Sequence, residues 1–178
     1  CTSEREAEMF ALKWNSYGYH AAVLWYSVRP AVYPTALLEL GQTVKLFKEN
    51  YEKWHVDKDR VFLQGSSAGG HLVASFSILR KQDFVLKALN ATDEMLKPAG
   101  MILNYPVISS GEYGHQESFR DLLKDRYDEL AGELSLENRV DSDTPPAFIW
   151  TTNEDELVPA ENSILMALAM RKAGVSVE

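Results

Sequence analysis

The sequence predicts an α/β fold built on a mainly parallel sheet, and three observations predict it. Several short runs are almost continuously apolar, such as HAAVLWYSV (20–28), MILNYPVI (101–108) and AFIWTT (147–152), as strands buried on both faces require. Between them lie longer segments whose apolar residues recur every three or four positions, the mark of amphipathic helices. The two kinds of segment alternate along the chain, which is the order a parallel sheet with crossover helices needs. The length of 178 residues, 46% hydrophobic and 25% charged, fits a single domain over 1–178 with a real core.

Each element has its own justification. Ser3 to Glu6 reads SERE, the form of a capping box, and Ala7, Phe10, Ala11 and Trp14 follow at helical spacing, so a first helix is expected and Gly18 ends it. His20 to Val28 reads as a buried strand. Leu37, Leu40, Val44, Phe47, Tyr51 and Trp54 alternate spacings of three and four and predict one long amphipathic helix. Arg60 to Gly65 is a short strand and Gly70 to Leu79 a helix. Met101 to Ile108 and Ala147 to Thr152 are further strands, and Ala160 to Lys172 a helix stopped at Gly174, with VSVE opening another strand. Two charged, mixed segments, about 80–98 and 109–145, read as excursions over the strand ends. There is no internal repeat and no low-complexity tract.

Composition removes several classes of function. A net charge of −8 argues against nucleic acid or an anionic membrane as partner, because phosphate recognition needs a positive field. No run approaches the ~18 apolar residues that would span a bilayer. Cys1 is the only cysteine, which leaves no internal disulfide and no cysteine-based zinc site, and fits a reducing, cytoplasmic setting. Since the chain opens on Cys and not Met, a secreted protein with an earlier N-terminus stays open. No metal-ligand spacing of the HExxH type occurs, so neither a metal nor another cofactor is expected. Nothing in the sequence bears on oligomeric state.

The run FLQGSSAGGHL (62–72) carries the chemistry. Gly65-Ser66-Ser67-Ala68-Gly69 is G-x-S-x-G, entered from a predicted strand and left by a predicted helix. Such a turn holds Ser67 in a strained backbone conformation and lifts its hydroxyl above the sheet. Gly65 and Gly69 are expected where any Cβ would strike the neighbouring strand or helix. The Ala68 N–H, first in the helix, points at a developing oxyanion. A small-residue turn without chemistry is the bland alternative. A phosphate loop fits poorly, since His71-Leu72 stands where Lys and Ser/Thr are needed and Ser67 replaces the second glycine of G-x-G-x-x-G. A serine nucleophile also needs a base and an acid. TTNEDELVP (151–159) leaves a predicted strand end with Glu154, Asp155 and Glu156, where functional residues of open parallel sheets gather.

Taken together, SEREAE, GSSAGGHL, LNYPVI, GHQES and TPPAFIWTTNEDELVPAENS resemble the α/β-hydrolase fold, in particular the small carbohydrate and acetyl-xylan esterase-like serine hydrolases. The resemblance covers nearly the whole chain. It implies Ser67 as nucleophile and Asp155 as triad acid, the latter through D-x-x-V-P at Asp155, Val158 and Pro159. It also implies a small-molecule ester substrate.

The chain departs from the family at the third member of the triad. Order in this fold is serine, acid, histidine. All four histidines, His20, His55, His71 and His115, precede Asp155, and the family's glycine-rich oxyanion loop is not found before SEREAE. His20 and His55 read as structural and His71 as a packing residue behind the elbow. His115, in the second excursion, is the one best placed to touch substrate. The expectation is an incomplete α/β-hydrolase domain lacking N-terminal strands and the C-terminal end, with the triad histidine outside these residues. A peptidase or amidase with the same triad, and a non-catalytic hydrolase-like binding protein, remain alternatives to an esterase.

Overall fold

The structure, a computed structural model, describes residues 7–178. Cys1 and the expected capping box at Ser3 to Glu6 lie outside the described residues. Helix α1 (Glu8–Ser16) buries none of its side chains. It reaches the sheet through Trp14, whose Nε1–H donates to Gln64 Oε1 at 2.6 Å.

Residues 20–28 do not form the expected buried strand. They have no regular structure, Trp25 is 73% exposed, and no described strand pairs with them. An apolar run becomes a strand only where a neighbouring strand takes up its N–H and C=O groups, and no described strand lies beside it; Ser27 N–H goes instead to Glu39 Oε2 at 2.7 Å. Only Leu24 and Tyr26 turn partly inward. His20, expected to open that strand, is exposed.

The long helix predicted over 37–54 is two helices, α2 (Thr35–Glu49) and α3 (Tyr51–Trp54). Asn50 breaks it by turning its Nδ2 back to Leu46 O at 2.9 Å, the local competition typical of Asn. The buried stripe of α2 is Leu37, Leu40 and Val44. Strand β1 (Phe62–Ser66) leads into α4 (Ala68–Leu79). The first excursion holds α5 (Asp83–Leu89) and α6 (Asp93–Leu96), and the second, after β2 (Gly100–Asn104), holds α7 (Gln116–Leu123) and α8 (Tyr127–Leu130). Then come β3 (Ala147–Trp150) and α9 (Glu161–Lys172).

The three strands are parallel in the order β1-β2-β3. Ser66 is level with Asn104, and Asn104 with Trp150, so all three strands end along one line. Val177 pairs in parallel with Ala147, and the expected strand at VSVE begins there. It follows a Schellman stop on α9, in which Val175 N–H donates to Met170 O and Gly174, at φ 75°, donates to Arg171 O.

Leu63, Met101, Leu103 and Ala147 form one sheet face and join Val73 and Phe76 of α4 and Met166 and Met170 of α9 in the core. On the opposite face Phe62, Phe148 and Trp150 stay about half exposed. Helix α4 is buried from Val73 to Leu79 and ends at Arg80, whose side chain is fully buried. A buried guanidinium is tolerable only when paired. Its Nε stands 2.8 Å from Asp93 Oδ1, and it also pairs with Asp143, which Lys97 holds as well. No helix among the described residues is long and apolar enough to cross a membrane.

Candidate active site

The turn between β1 and α4 puts Ser67 at φ 53°, ψ −120°, a backbone region that L side chains rarely adopt. Hydrogen bonds hold it there from three sides. Ser67 N–H donates to Asn104 O at 3.0 Å, and Ser67 O accepts from His71 N–H at 3.1 Å and from Val107 N–H at 3.2 Å. Strain of this kind costs roughly 1–3 kcal/mol and persists only where the surroundings over-determine it. The Ser67 side chain is partly exposed, and no described residue hydrogen-bonds its hydroxyl. Ser66, by contrast, is buried and its Oγ accepts from Asn104 Nδ2 at 3.2 Å. Ala68 is exposed at the first helical position, so its N–H has no intrahelical partner.

The glycines of the turn divide the work differently from the expectation. A Cβ on Gly65 would lie 2.2 Å from Gly69 O, so glycine is required there. At Gly69 the nearest atom to an added Cβ is Tyr26 Oη at 3.8 Å, and the predicted collision does not occur. Gly70 makes the other close approach, where a Cβ would meet Pro106 Cβ at 2.8 Å. The neighbour is the segment leaving β2, which the linear sequence places 36 residues away.

Asp155 lies in the turn after β3 and is partly buried, whereas Glu154 and Glu156 are exposed. Its Oδ1 accepts from Leu157 N–H and Val158 N–H, both at 2.9 Å, which pins the carboxylate and leaves Oδ2 without a described partner. Strands in a sheet lie about 4.8 Å apart, so the ends of β1 and β3 are roughly 10 Å apart, with β2 between them. Ser67 and the Asp155 turn therefore rise from the same edge of the sheet.

Of the histidines, two are engaged and two are not. His71 is buried edge-on to Phe119, with 5.1 Å between ring centres. Its Nδ1–H donates to Val107 O at 3.1 Å, and its Nε2 is buried without a partner. Burial lowers its pKa to about 4 against the opposing pull of that hydrogen bond, so it is neutral at pH 7. His115 is the N-cap of α7, and its Nδ1 accepts from Ser118 N–H at 3.2 Å and bonds Ser118 Oγ at 2.8 Å. The proton of neutral His115 is therefore on Nε2. His55 ends α3 in the left-handed region, exposed like His20. No described histidine bridges Ser67 and Asp155.

Sequence reasoning missed Asn162, which is fully buried in the first turn of α9 and makes four hydrogen bonds to the loops around the site. Its one sequence signal is an amide four residues before Met166 and eight before Met170, on the inward face of the helix. Among the described residues no group of three or more His, Cys, Asp and Glu side chains is arranged to hold a metal ion. A cavity of about 500 Å³ between Tyr33, Phe84, Leu130 and Arg139 includes neither Ser67 nor Asp155.

The BD-FAE family profile matches residues 4–170. Among curated relatives, endo-1,4-beta-xylanase B of Butyrivibrio fibrisolvens is 35% identical over 94% of this chain, and the acetylxylan esterase of Xylanibacter ruminicola is 34% identical over 76% of it. In each case the match spans 27% of the relative, so this chain corresponds to about a quarter of their length. Among solved structures, the acetyl ester-xyloside bifunctional hydrolase of Caldicellulosiruptor lactoaceticus superposes with a TM-score of 0.87 at 36% identity, over 98% of this chain and 65% of that one. An alpha/beta hydrolase from a deep-sea metagenome, 24% identical, supports the fold alone with a TM-score of 0.66 over all of this chain and 60% of that one. The chain belongs to the BD-FAE family and has the α/β-hydrolase fold.

Proposed function

We propose that the protein is a serine esterase that removes small acyl groups, acetyl foremost, from carbohydrate esters. The observation that carries this reading is the backbone of Ser67, strained at a strand-to-helix turn with its hydroxyl unengaged by any described residue. In the proposed reaction Ser67 Oγ attacks the ester carbonyl while a histidine takes its proton. Ala68 N–H and the positive end of α4 stabilise the tetrahedral oxyanion. The same histidine returns the proton to the leaving sugar alcohol, and water then repeats the sequence on the acyl-enzyme to release the acid. Asp155 Oδ2 orients that histidine through its Nδ1–H.

None of the four histidines in this chain fits the part. A base needs Nδ1–H toward the acid and a bare Nε2 toward the serine. His71 has that tautomer, but its Nδ1–H goes to Val107 O and its Nε2 is buried. His115 has the opposite tautomer. We therefore assign the base to a histidine outside these residues and give His115 the lesser role of offering Nε2–H to substrate. The choice of carbohydrate acetyl esters is supported by the names of the acetylxylan esterase and the acetyl ester-xyloside hydrolase. A xylanase relative does not favour glycoside cleavage here, because that chemistry needs two facing carboxylates and the elbow is built for acyl transfer.

The test is made on the full-length protein. A fluorophosphonate probe should label Ser67, and acetylated xylan and p-nitrophenyl acetate should both release acetate. Absence of labelling, or labelling that survives Ser67→Ala, would overturn the proposal.

A further inference from the structure

We infer that Asn162 is a positioning residue that sets the separation of Ser67 and Asp155, an inference that rests on the serine-esterase reading above. The amide is fully buried, and all four of its hydrogen-bonding places are filled. Oδ1 accepts from Ile108 N–H and Ser109 N–H, each at 3.0 Å. Nδ2 donates to Tyr113 O at 2.8 Å and to Pro159 O at 3.0 Å.

Those partners lie on the two sides of the site. Ile108 and Ser109 follow Val107, whose N–H holds Ser67 O at 3.2 Å. Pro159 follows Val158, whose N–H holds Asp155 Oδ1 at 2.9 Å. One side chain thus joins the segment that holds the serine to the turn that holds the acid. Tyr113 O adds the loop that leads to His115.

The two ends of the amide can be separated by experiment. In Asn162→Asp, one carboxylate oxygen still accepts from Ile108 and Ser109. The other oxygen faces the carbonyls of Tyr113 and Pro159, acceptor against acceptors. Burial and those carbonyls raise the pKa of the new carboxyl, and once protonated it donates to one of them again. The acid-side contact is therefore lost at high pH and partly restored at low pH. Asn162→Ser removes the amide without adding a charge and has no such recovery.

Both variants would be made in the full-length protein and assayed with p-nitrophenyl acetate from pH 8.5 to 5.5, with circular dichroism and Tm alongside. A misplacement of about 1 Å costs on the order of 10²-fold in rate, so kcat should fall about 10–100-fold at pH 8 with KM nearly unchanged. The ratio of Asn162→Asp to wild-type kcat should climb as pH falls, and that of Asn162→Ser should stay flat. Wild-type kcat in Asn162→Asp at pH 8, a ratio that ignores pH, a loss confined to KM, or unfolding of both variants at 25 °C would overturn the inference. A wild-type protein inactive on every ester would instead sink the esterase reading beneath it.

Discussion

The outer two glycines of G-x-S-x-G should respond to alanine in opposite directions, and the magnitudes follow from the structure. A Cβ on Gly65 would sit 2.2 Å from Gly69 O and 2.5 Å from Gly69 C, both backbone atoms that no rotamer change can move. Carbon contacts normally settle at about 3.5–4 Å, so the start of α4 must retreat by roughly 1 Å or more. Overpacking of this kind costs about 1–3 kcal/mol. For a domain of this size each kcal/mol is worth roughly 2–4 °C, giving a Tm lower by about 2–12 °C. The same displacement carries Ala68 N–H and Ser67 out of line, and about 10²-fold of kcat should go with it. A Cβ on Gly69 meets only Tyr26 Oη at 3.8 Å, and the residue lies in the first turn of α4 without a left-handed φ. Alanine there should be stabilising by about 0.4–1 kcal/mol, through the smaller entropy of the unfolded chain. Thermal unfolding of the two variants, followed by far-UV circular dichroism, checks both signs. A Gly69→Ala protein less stable than Gly65→Ala would refute this account of the elbow.

The remaining predictions concern the serines, the acid and acid sensitivity. Ser67→Ala should bring ester hydrolysis close to background, whereas Ser66→Ala should keep activity and lose about 0.5–1.5 kcal/mol, the worth of the Asn104 Nδ2 hydrogen bond; kinetics and denaturant melts of both distinguish them. Asp155→Asn can still accept from Leu157 and Val158 through its amide oxygen, so its turn should stand while kcat falls roughly 10³–10⁴-fold; Glu154→Gln and Glu156→Gln should stay near wild type, and equal losses from all three would remove Asp155 from the proposed triad. His71 has a folded pKa of about 4 against roughly 6.5 unfolded, so between those values the unfolded state binds the proton first and stability falls as pH falls. The full loss is about 3 kcal/mol at roughly 1.4 kcal/mol per pH unit, and His71→Asn should flatten melts across that window. Asp143, held below the usual carboxylate range first by the Lys97 hydrogen bond, loses its contribution only at lower pH and should not blur the comparison.

The parts of the site that were legible in the sequence are the local ones. G-x-S-x-G is five consecutive residues whose backbone demands can be stated without knowing any neighbour, and the structure has Ser67 in the expected conformation. D-x-x-V-P is similarly local, since Asp155 is held by N–H groups two and three residues on. The strand reading failed where it depended on a partner. HAAVLWYSV has the composition of a buried strand, but composition does not say which backbone will lie beside it. The long helix failed for a smaller reason, because periodicity from Leu37 to Trp54 does not register a single Asn that prefers its own carbonyl contact. The collision expected at Gly69 falls at Gly70 because the crowding atom belongs to Pro106, and no local pattern names it.

The same distinction explains why Asn162 could not be found in advance. The proposed nucleophile follows β1 and the proposed acid follows β3, yet their common support is the segment leaving β2. Val107 receives His71 Nδ1–H on its carbonyl and gives its N–H to Ser67 O. Pro106 packs on Gly70, and the next two N–H groups, of Ile108 and Ser109, go to Asn162. Of the side chains in this loop, Ser109 Oγ donates to Glu137 Oε1 at 2.7 Å and Tyr105 packs edge-on against Trp150. Its backbone is also held by one histidine on the serine side and one asparagine on the acid side, both buried and neutral. Neutral groups suit this task, because a charge at either place would alter the potential felt by the proposed nucleophile and acid and would need a buried partner of its own. The backbone demands of the elbow are written in its five residues, but under the proposed mechanism its alignment with the acid depends on two polar side chains that belong to no motif.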